Sequence, residues 1–388
     1  MSESLAPADL LPLLTRIHGT PTRLVLEFTG AGSLALAWLH SLGGSSRTVL
    51  EAADRYAPAA LMDRIGFRPA QFTSAEVAAA LAEKARERAL RLADAELPAV
   101  GVAASATIAT DRTKRGDHRA VIALTGPYGT RVQELVIEKG RRGRTAEEEL
   151  VSRLILGAVV EGCGLAERPA LDLSGREVPE EQFSGSAVLN AFLREETAVL
   201  RQQPSLRLER GAPAGPLLIL SGSFNPLHHG HERLAETAAR LSGLPLHYEL
   251  PVLNADKPAF SGAELQRRAL QFAGRAPLLI TRAPLFVDKA RLFPDSTFIV
   301  GTDTVIRLLD SRFYGSDPAE RDRMFRELRS LGASFLVAGR TRDGKFVTLA
   351  DLDVPAAHRD LFRGLDEAEF RVDVSSTEIR RNNGSPPS

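Results

Sequence analysis

From Leu217 onward, short apolar runs alternate with stretches of helical spacing. The runs predict strands at Leu217–Ser221, Leu246–Pro251, Leu278–Thr281, Thr297–Val300 and Ser334–Ala338. The stretches between them predict helices at Glu232–Leu241, Ala263–Phe272, Asp303–Leu309 and Ala319–Leu331. Strands that are apolar throughout, rather than at every second residue, are buried on both faces. Separated by helices, they imply a parallel, doubly wound α/β sheet. Such a sheet receives its ligands beyond the carboxyl ends of its strands.

The first part of the chain is patterned differently. Ala75–Leu92 is a long alanine-rich helical pattern with Ser74 as its cap, and Thr145–Val160 is a second, with Thr145 and Glu148 in capping-box spacing. Val100–Ile108 and Ala120–Thr125 are apolar runs of strand type, and Val132–Glu138 alternates as a half-buried strand does. This is an α/β layer pattern. Residues 169–214 carry several prolines and many charges, with a single helix expected over Ala187–Arg201. Gly211-Ala212-Pro213-Ala214-Gly215-Pro216 favours neither helix nor strand and marks a boundary. The expected organisation is therefore a domain over 1–168, a connector over 169–214 and a second domain over 215–388.

Composition narrows the functional classes. A chain of 388 residues with 44% hydrophobic content suits two globular domains. Lys+Arg and Asp+Glu both number 49, so no net field draws the chain to nucleic acid or to a membrane. The single cysteine, Cys163, excludes an intrachain disulfide and a thiolate metal cluster. No apolar run is long enough to span a bilayer, and the acidic start Met1-Ser2-Glu3-Ser4 is unlike a signal peptide. A soluble cytoplasmic protein is expected.

Three motifs in the second domain carry chemistry. The first is Gly222-Ser223-Phe224-Asn225-Pro226-Leu227-His228-His229-Gly230-His231, between a predicted strand and a predicted helix. A glycine-bearing turn at a helix start offers free N–H groups to an anion, and Gly230 permits close approach. His228 and His231 stand where their rings can donate to phosphoryl oxygens, whereas His229 reads as solvated. The second is Phe298-Ile299-Val300-Gly301-Thr302-Asp303, whose glycine and carboxylate suit close approach to a nucleoside. The third is Val374-Ser375-Ser376-Thr377-Glu378-Ile379-Arg380, where Ser376, Thr377 and Arg380 can hold phosphate.

Together these motifs resemble the nucleotidylyltransferase superfamily, and within it the nicotinate/nicotinamide mononucleotide adenylyltransferases, over Leu217 to about Asn382. The resemblance rests on G-S-F-N-P-L-H-H-G-H, F-I-V-G-T-D and V-S-S-T-E-I-R in that order. It implies attack of a mononucleotide phosphate on the α-phosphate of ATP, with release of pyrophosphate and with Mg²⁺ carried in by ATP rather than held by a protein metal site. It further implies that His228, His231 and Arg380 stabilise the transferring phosphates. ATP would also be bound through Gly222, Ser223, Phe224, Gly230, Ser376 and Thr377, with Lys257 a phosphate contact and Gly301 and Asp303 adenosine contacts. Family members stack the pyridine on a tryptophan after the G-x-D strand. The sole tryptophan here is Trp38, which leaves Phe313 or Tyr314 as the ring face and leaves phosphopantetheine or another phosphorylated acceptor open. A nucleotide-binding sensor or scaffold is the non-enzymatic alternative.

Upstream, Glu27-Phe28-Thr29-Gly30-Ala31-Gly32, a helix at Ser33–Leu42 and Gly43-Gly44-Ser45-Ser46 resemble the C-terminal domain of the competence-damage CinA family, over about Leu24 to Leu165. Glu27, Thr29, Gly30, Ser45, Ser46 and Tyr56 fall in matching places. The family's serine after the glutamate is Phe28 here, its lysine region reads Ala59-Ala60-Leu61, and its glycine loop is Ser105–Thr110. A nucleophilic serine needs a neighbouring base. A non-catalytic domain serving homo-oligomer assembly or ligand binding is therefore expected, with mononucleotide and ATP as the small-molecule partners of the chain.

Overall fold

The computed structural model describes residues 5–111, 115–253, 260–314, 317–342 and 345–371, with Phe313, Tyr314 and Arg342 described at the backbone only. The chain divides into two compact units. One comprises Met1–Arg194, Gln203–Leu208 and Ser261–Arg275, and the other Glu195–Gln202, Glu209–Phe260 and Ala276–Ser388. No helix among the described residues is long and apolar enough to cross a membrane.

In the first unit the elements run α1 (Leu11–His18), β1 (Arg23–Thr29), α2 (Ser33–His40), β2 (Val49–Asp54), α3 (Pro58–Ile65), α4 (Ala75–Leu92), β3 (Ala99–Thr107), β4 (His118–Gly126), β5 (Gly129–Ile137), α5 (Arg144–Gly162), β6 (Glu180–Gly185) and α6 (Ala187–Leu193). The sheet order is β2-β1-β3-β4-β5-β6, with β1 parallel to β2 and β3 and the remaining pairs antiparallel. Strand β3 shows why helices lie on both faces. Val100, Val102, Ala104 and Ala106 pack with residues of α1, α2 and α5, while Ala103 packs with α3 and α4 and Ala99 with Ala85 and Ala89 of α4. Ser74 caps α4 as predicted, its hydroxyl accepting from Val77 N–H.

Two expectations are corrected. The Thr145–Glu148 capping box does not form, because α5 starts a residue earlier with Gly143 at its N-cap. Glu148 instead caps α2: its Oε1 accepts from Gly32 N–H at 2.8 Å and from the Ser33 hydroxyl at 2.9 Å. The N-cap of α2 is Gly32, which has no side chain to do this itself. The single helix expected over Ala187–Arg201 ends at Leu193. Glu195 adopts φ 65°, and the chain re-enters as a strand at Val199.

Residues 169–214 also hold a dense ion cluster. The Glu177 carboxylate is sealed from water and accepts from Arg141, from both terminal nitrogens of Arg142, and from the backbone N–H groups of Ser174 and Glu138. Burial pushes its pKa up, but the Arg142 and backbone donors override this and hold it at about 2, against an ordinary 4.5. A carboxylate depressed in this way stabilises the fold fully above pH 4.5 and loses the contribution as pH falls toward 2. A shift of this size corresponds to about 3 kcal/mol. Glu177→Gln is thus expected to be markedly less stable than wild type in urea melts at pH 6, with the gap closing at pH 3. A gap independent of pH would refute the assignment.

In the second unit the elements are β7 (Val199–Gln202), β8 (Leu208–Arg210), β9 (Leu218–Ser221), α7 (His229–Ser242), β10 (Leu246–Pro251), β11 (Leu278–Thr281), α9 (Phe286–Leu292), β12 (Thr297–Gly301), α10 (Thr302–Leu309), α11 (Pro318–Ser330), β13 (Ser334–Ala338), β14 (Arg340–Arg342), β15 (Lys345–Val347) and β16 (Phe362–Gly364). Helix α8 (Gly262–Leu270), between β10 and β11 in sequence, belongs to the first unit. The sheet order is β16-β13-β12-β9-β10-β11-β7-β8. Strands β16 to β11 are parallel neighbours, as the apolar runs predict, while β7 joins β11 antiparallel. After β9 the chain builds outward on one side as β10 and β11, then returns to the other side as β12 and β13. The crevice at the carboxyl ends of β9 and β12 is therefore the topological switch point, where doubly wound sheets bind ligands. The histidine turn leaves β9 there, and Gly301 and Asp303 leave β12.

Candidate functional site

The turn after β9 is shaped by its own aromatic residue. Phe224 is buried with φ 43°, and its ring packs edge-on against His231 and Tyr248, with centroids 5.2 and 5.7 Å away. A Cβ on Gly222 would lie 2.9 Å from that ring, so glycine is required there by the turn itself. The Asn225–Pro226 peptide is cis. Ser223 is exposed at the turn's surface, and Gly230 is buried in the first turn of α7.

Helix α7 opens with a reciprocal capping box between His228, its N-cap, and His231 at the third helical position. The backbone N–H of His228 donates to His231 Nδ1 at 3.3 Å, which leaves Nε2 of His231 as the ring's N–H donor. The two imidazoles stack with centroids 3.7 Å apart and planes 24° apart. Two stacked, partly buried rings cannot both be charged cheaply. Burial, then the neighbouring His229, lowers the pKa of His228, against a smaller opposing pull from Glu232. Burial, then His228, lowers that of His231 to about 3. The pair is therefore neutral at physiological pH. It sits at the N-terminus of a 14-residue helix, whose dipole favours an anion. His229 is exposed, as the sequence suggested.

On the adjoining strand, a Cβ at Gly301 would meet nothing within 4 Å, so open space lies over this residue among the described residues. Asp303, in the first turn of α10, pairs with Arg340. Lys257, Ser376, Thr377 and Arg380 lie outside the described residues, and at Phe313 and Tyr314 only the backbone of a short 3₁₀ turn is described. Trp38 is a buried core residue of α2. Among the described residues there is no cluster of three His, Cys, Asp or Glu able to hold a metal ion.

Sequence reading missed the groups beneath the turn. Glu249, fully buried in β10, accepts from the Thr281 hydroxyl at 2.5 Å, the Ser221 hydroxyl at 2.5 Å and Lys289 Nζ at 2.6 Å. A carboxylate inside the apolar run Leu246–Pro251 was the available signal. Also missed was a cleft of about 530 Å³ beyond the carboxyl ends of β10 and β11, floored by Leu253, Ala283 and Leu292 and flanked by Arg282 and Arg291. Arg282 is paired with Glu195, and Arg291 with Asp288 and Glu327.

In the first unit, Glu27 is fully buried and bound by Arg55 at 3.0 Å and Arg64 at 2.6 Å. Phe28 is a core side chain, Ser45 Oγ lies 2.5 Å from His40 Nδ1, and Ser46 and Tyr56 are exposed.

No curated protein matches the chain. The solved structures similar over part of it include two competence/damage-inducible proteins. The competence/damage inducible protein CihA from Agrobacterium tumefaciens is 24% identical, covering 40% of this chain and 95% of that one at a TM-score of 0.32. A competence or damage-inducible protein from Enterobacter asburiae is 14% identical, covering 40% and 92% at 0.29. The cytidylyltransferase-like family model matches residues 219–382, the span that holds the histidine turn and the Gly301 strand, and this part of the chain is a cytidylyltransferase-like, nucleotidyltransferase domain.

Proposed function

We propose that the second unit transfers AMP from ATP to nicotinate or nicotinamide mononucleotide, releasing pyrophosphate. The observation that carries this reading is the stacked, neutral His228–His231 pair at the helix start on the switch-point strand. The chemistry needs no protein nucleophile. A phosphate oxygen of the mononucleotide attacks the α-phosphorus of ATP, a P–O bond forms, and the bond to the bridging α–β oxygen breaks with its electrons leaving on pyrophosphate. What the protein supplies is alignment and donors aimed where charge accumulates. His231 Nε2–H and the N–H groups of His229 and Gly230 at the start of α7 are such donors, and the charge of a bound polyanion would favour protonation of the histidine pair. Mg²⁺ would enter with the ATP phosphates and neutralise part of their charge.

The open space over Gly301 suits the adenosine, with Asp303 at its edge. Arg380, Ser376, Thr377 and Lys257 are proposed for the remaining phosphate contacts. The acceptor is placed in the cleft beyond β10 and β11, where an apolar floor suits a ring and two guanidinium groups suit its anionic substituents. The first unit is proposed as a non-catalytic module for assembly or ligand binding, since Glu27 is already bound between two arginines and Phe28 is core.

The test is an acceptor screen. Purified full-length chain with ATP and Mg²⁺ is given nicotinate mononucleotide, nicotinamide mononucleotide or phosphopantetheine, and pyrophosphate and product mass are followed. A dinucleotide from either pyridine substrate is expected. Turnover with phosphopantetheine alone would move the assignment to another acceptor, and saturable ATP binding without product would make the domain a sensor.

A further inference from the structure

We infer that Glu249 and Lys289 are positioning residues that lock the histidine turn to the walls of the neighbouring cleft. The inference rests on the proposed reading of those two places as the phosphate and acceptor sites. Lys289 and Glu249 are sealed from solvent, with side-chain exposures of 4% and 0%. Neither can therefore touch a substrate, and neither is a catalytic residue. A buried ion pair adds little net stability over an apolar pair of the same shape, because desolvation offsets the attraction. What it imposes is direction, since both charges need every partner in place.

Those partners come from four elements. Glu249 is on β10, Ser221 ends β9, Thr281 ends β11, and Lys289 lies in α9. Lys289 Nζ reaches Glu249 at 2.6 Å and the Ser221 hydroxyl at 3.1 Å, and lies 5.3 Å from the centroid of the Phe286 ring. Each member is followed within a few residues by a piece of one of the two sites. The backbone N–H of Gly222, next after Ser221, donates to the Glu249 carbonyl at 3.0 Å, so Glu249 grips the root of the turn through both side chain and backbone. The Thr281 hydroxyl accepts from Ala283 N–H at 3.3 Å, which fixes the bend carrying Arg282 and Ala283 into the cleft. Lys289 sits between Asp288 and Arg291 on the cleft's helical wall. One carboxylate thus sets the distance between the phosphate donors and the acceptor's seat, the quantity on which an in-line transfer depends.

Single loss of either charge would strand the other, so the main variant is the neutral double Glu249→Gln/Lys289→Met. It is expected to fold, with kcat/KM for the acceptor at least tenfold lower. Lys289→Arg, which keeps charge and donors, is expected to stay within about threefold of wild type. Amide hydrogen exchange gives a readout independent of any acceptor. In the double variant, the segments 222–228 and 282–292 are expected to exchange at least tenfold faster together, while 334–338 is unchanged. A double variant with wild-type kinetics or wild-type protection of both segments overturns the inference. A wild-type chain that makes no product overturns the proposed reaction instead, and the exchange result still decides whether the pair couples the two segments.

Discussion

His231→Ala is expected to lower turnover by roughly 10²- to 10³-fold, the loss seen when one preorganised donor to a developing oxyanion is removed. His228→Ala should fall in the same range, whereas His229→Ala should leave turnover within a factor of two. The ranking follows from geometry. His228 and His231 are held ring to ring at 3.7 Å by the capping box, while His229 is exposed. His231→Asn keeps a carbonyl that can accept from the His228 N–H and an amide that can donate outward. It should recover about tenfold over alanine by the same donor argument. Steady-state pyrophosphate release measures all four, with circular dichroism checking that Phe224, which packs on His231, still holds the turn. Equal activity of wild type and both alanine variants would sink the mechanism.

The same residue carries a pH signature. The folded-state pKa of His231, about 3, lies below its ordinary 6.5. The unfolded chain therefore binds the proton first, so stability is full above pH 6.5 and declines as pH falls from 6.5 toward 3. In His231→Asn this decline should shrink. A triphosphate bound at the turn would raise the His231 pKa, and its ring resonances in the ATP complex should titrate at higher pH than in the free protein.

What could be read from the sequence, and what could not, divides along range. The strands at Leu218–Ser221, Leu278–Thr281 and Thr297–Gly301 were legible because burial on both faces writes an unbroken apolar run. The H-x-G-H turn was legible because its members lie within four positions of one helix start. Strand β6, Glu-Glu-Gln-Phe-Ser-Gly, was illegible: it lies at the sheet's edge with mostly exposed side chains and carries no alternation. The pairing of Lys289 with Glu249 was also out of reach. Forty residues separate them, and only the order β9-β10-β11 with α9 alongside brings them to one point. Glu148 makes the same case in reverse. Its local spacing to Thr145 was persuasive, yet a distant helix start with a glycine cap had the greater need of its carboxylate. Local propensity is a weak competitor against an unsatisfied N–H elsewhere in the fold.

Gly101→Val is expected to unfold the first unit, and Gly101→Ala to cost it about 3 kcal/mol, the upper end of the range for overpacking a core. Gly101 lies in β3 between Ala99 and Ala103, on the face that meets α4. A Cβ there would stand 2.2 Å from the carbonyl oxygen of Ala82 and 2.3 Å from the backbone nitrogen of Arg86. Both are main-chain atoms, so no rotamer change or side-chain trimming on α4 relieves the contact, and the helix itself must retreat from the sheet. Its buried face, with Val77, Ala78, Leu81, Ala82, Ala85 and Ala89, would lose contact along its length. A glycine inside a strand often marks such close approach of another backbone. Gly157 in α5 supplies the control. A Cβ there meets only Pro169 Cδ, at 3.9 Å, so Gly157→Ala should be neutral or stabilising by up to about 1 kcal/mol through helix propensity alone. Urea melts of the full-length chain separate the two. If Gly101→Ala and Gly157→Ala shift the midpoint alike, the contact between β3 and α4 is not as close as described.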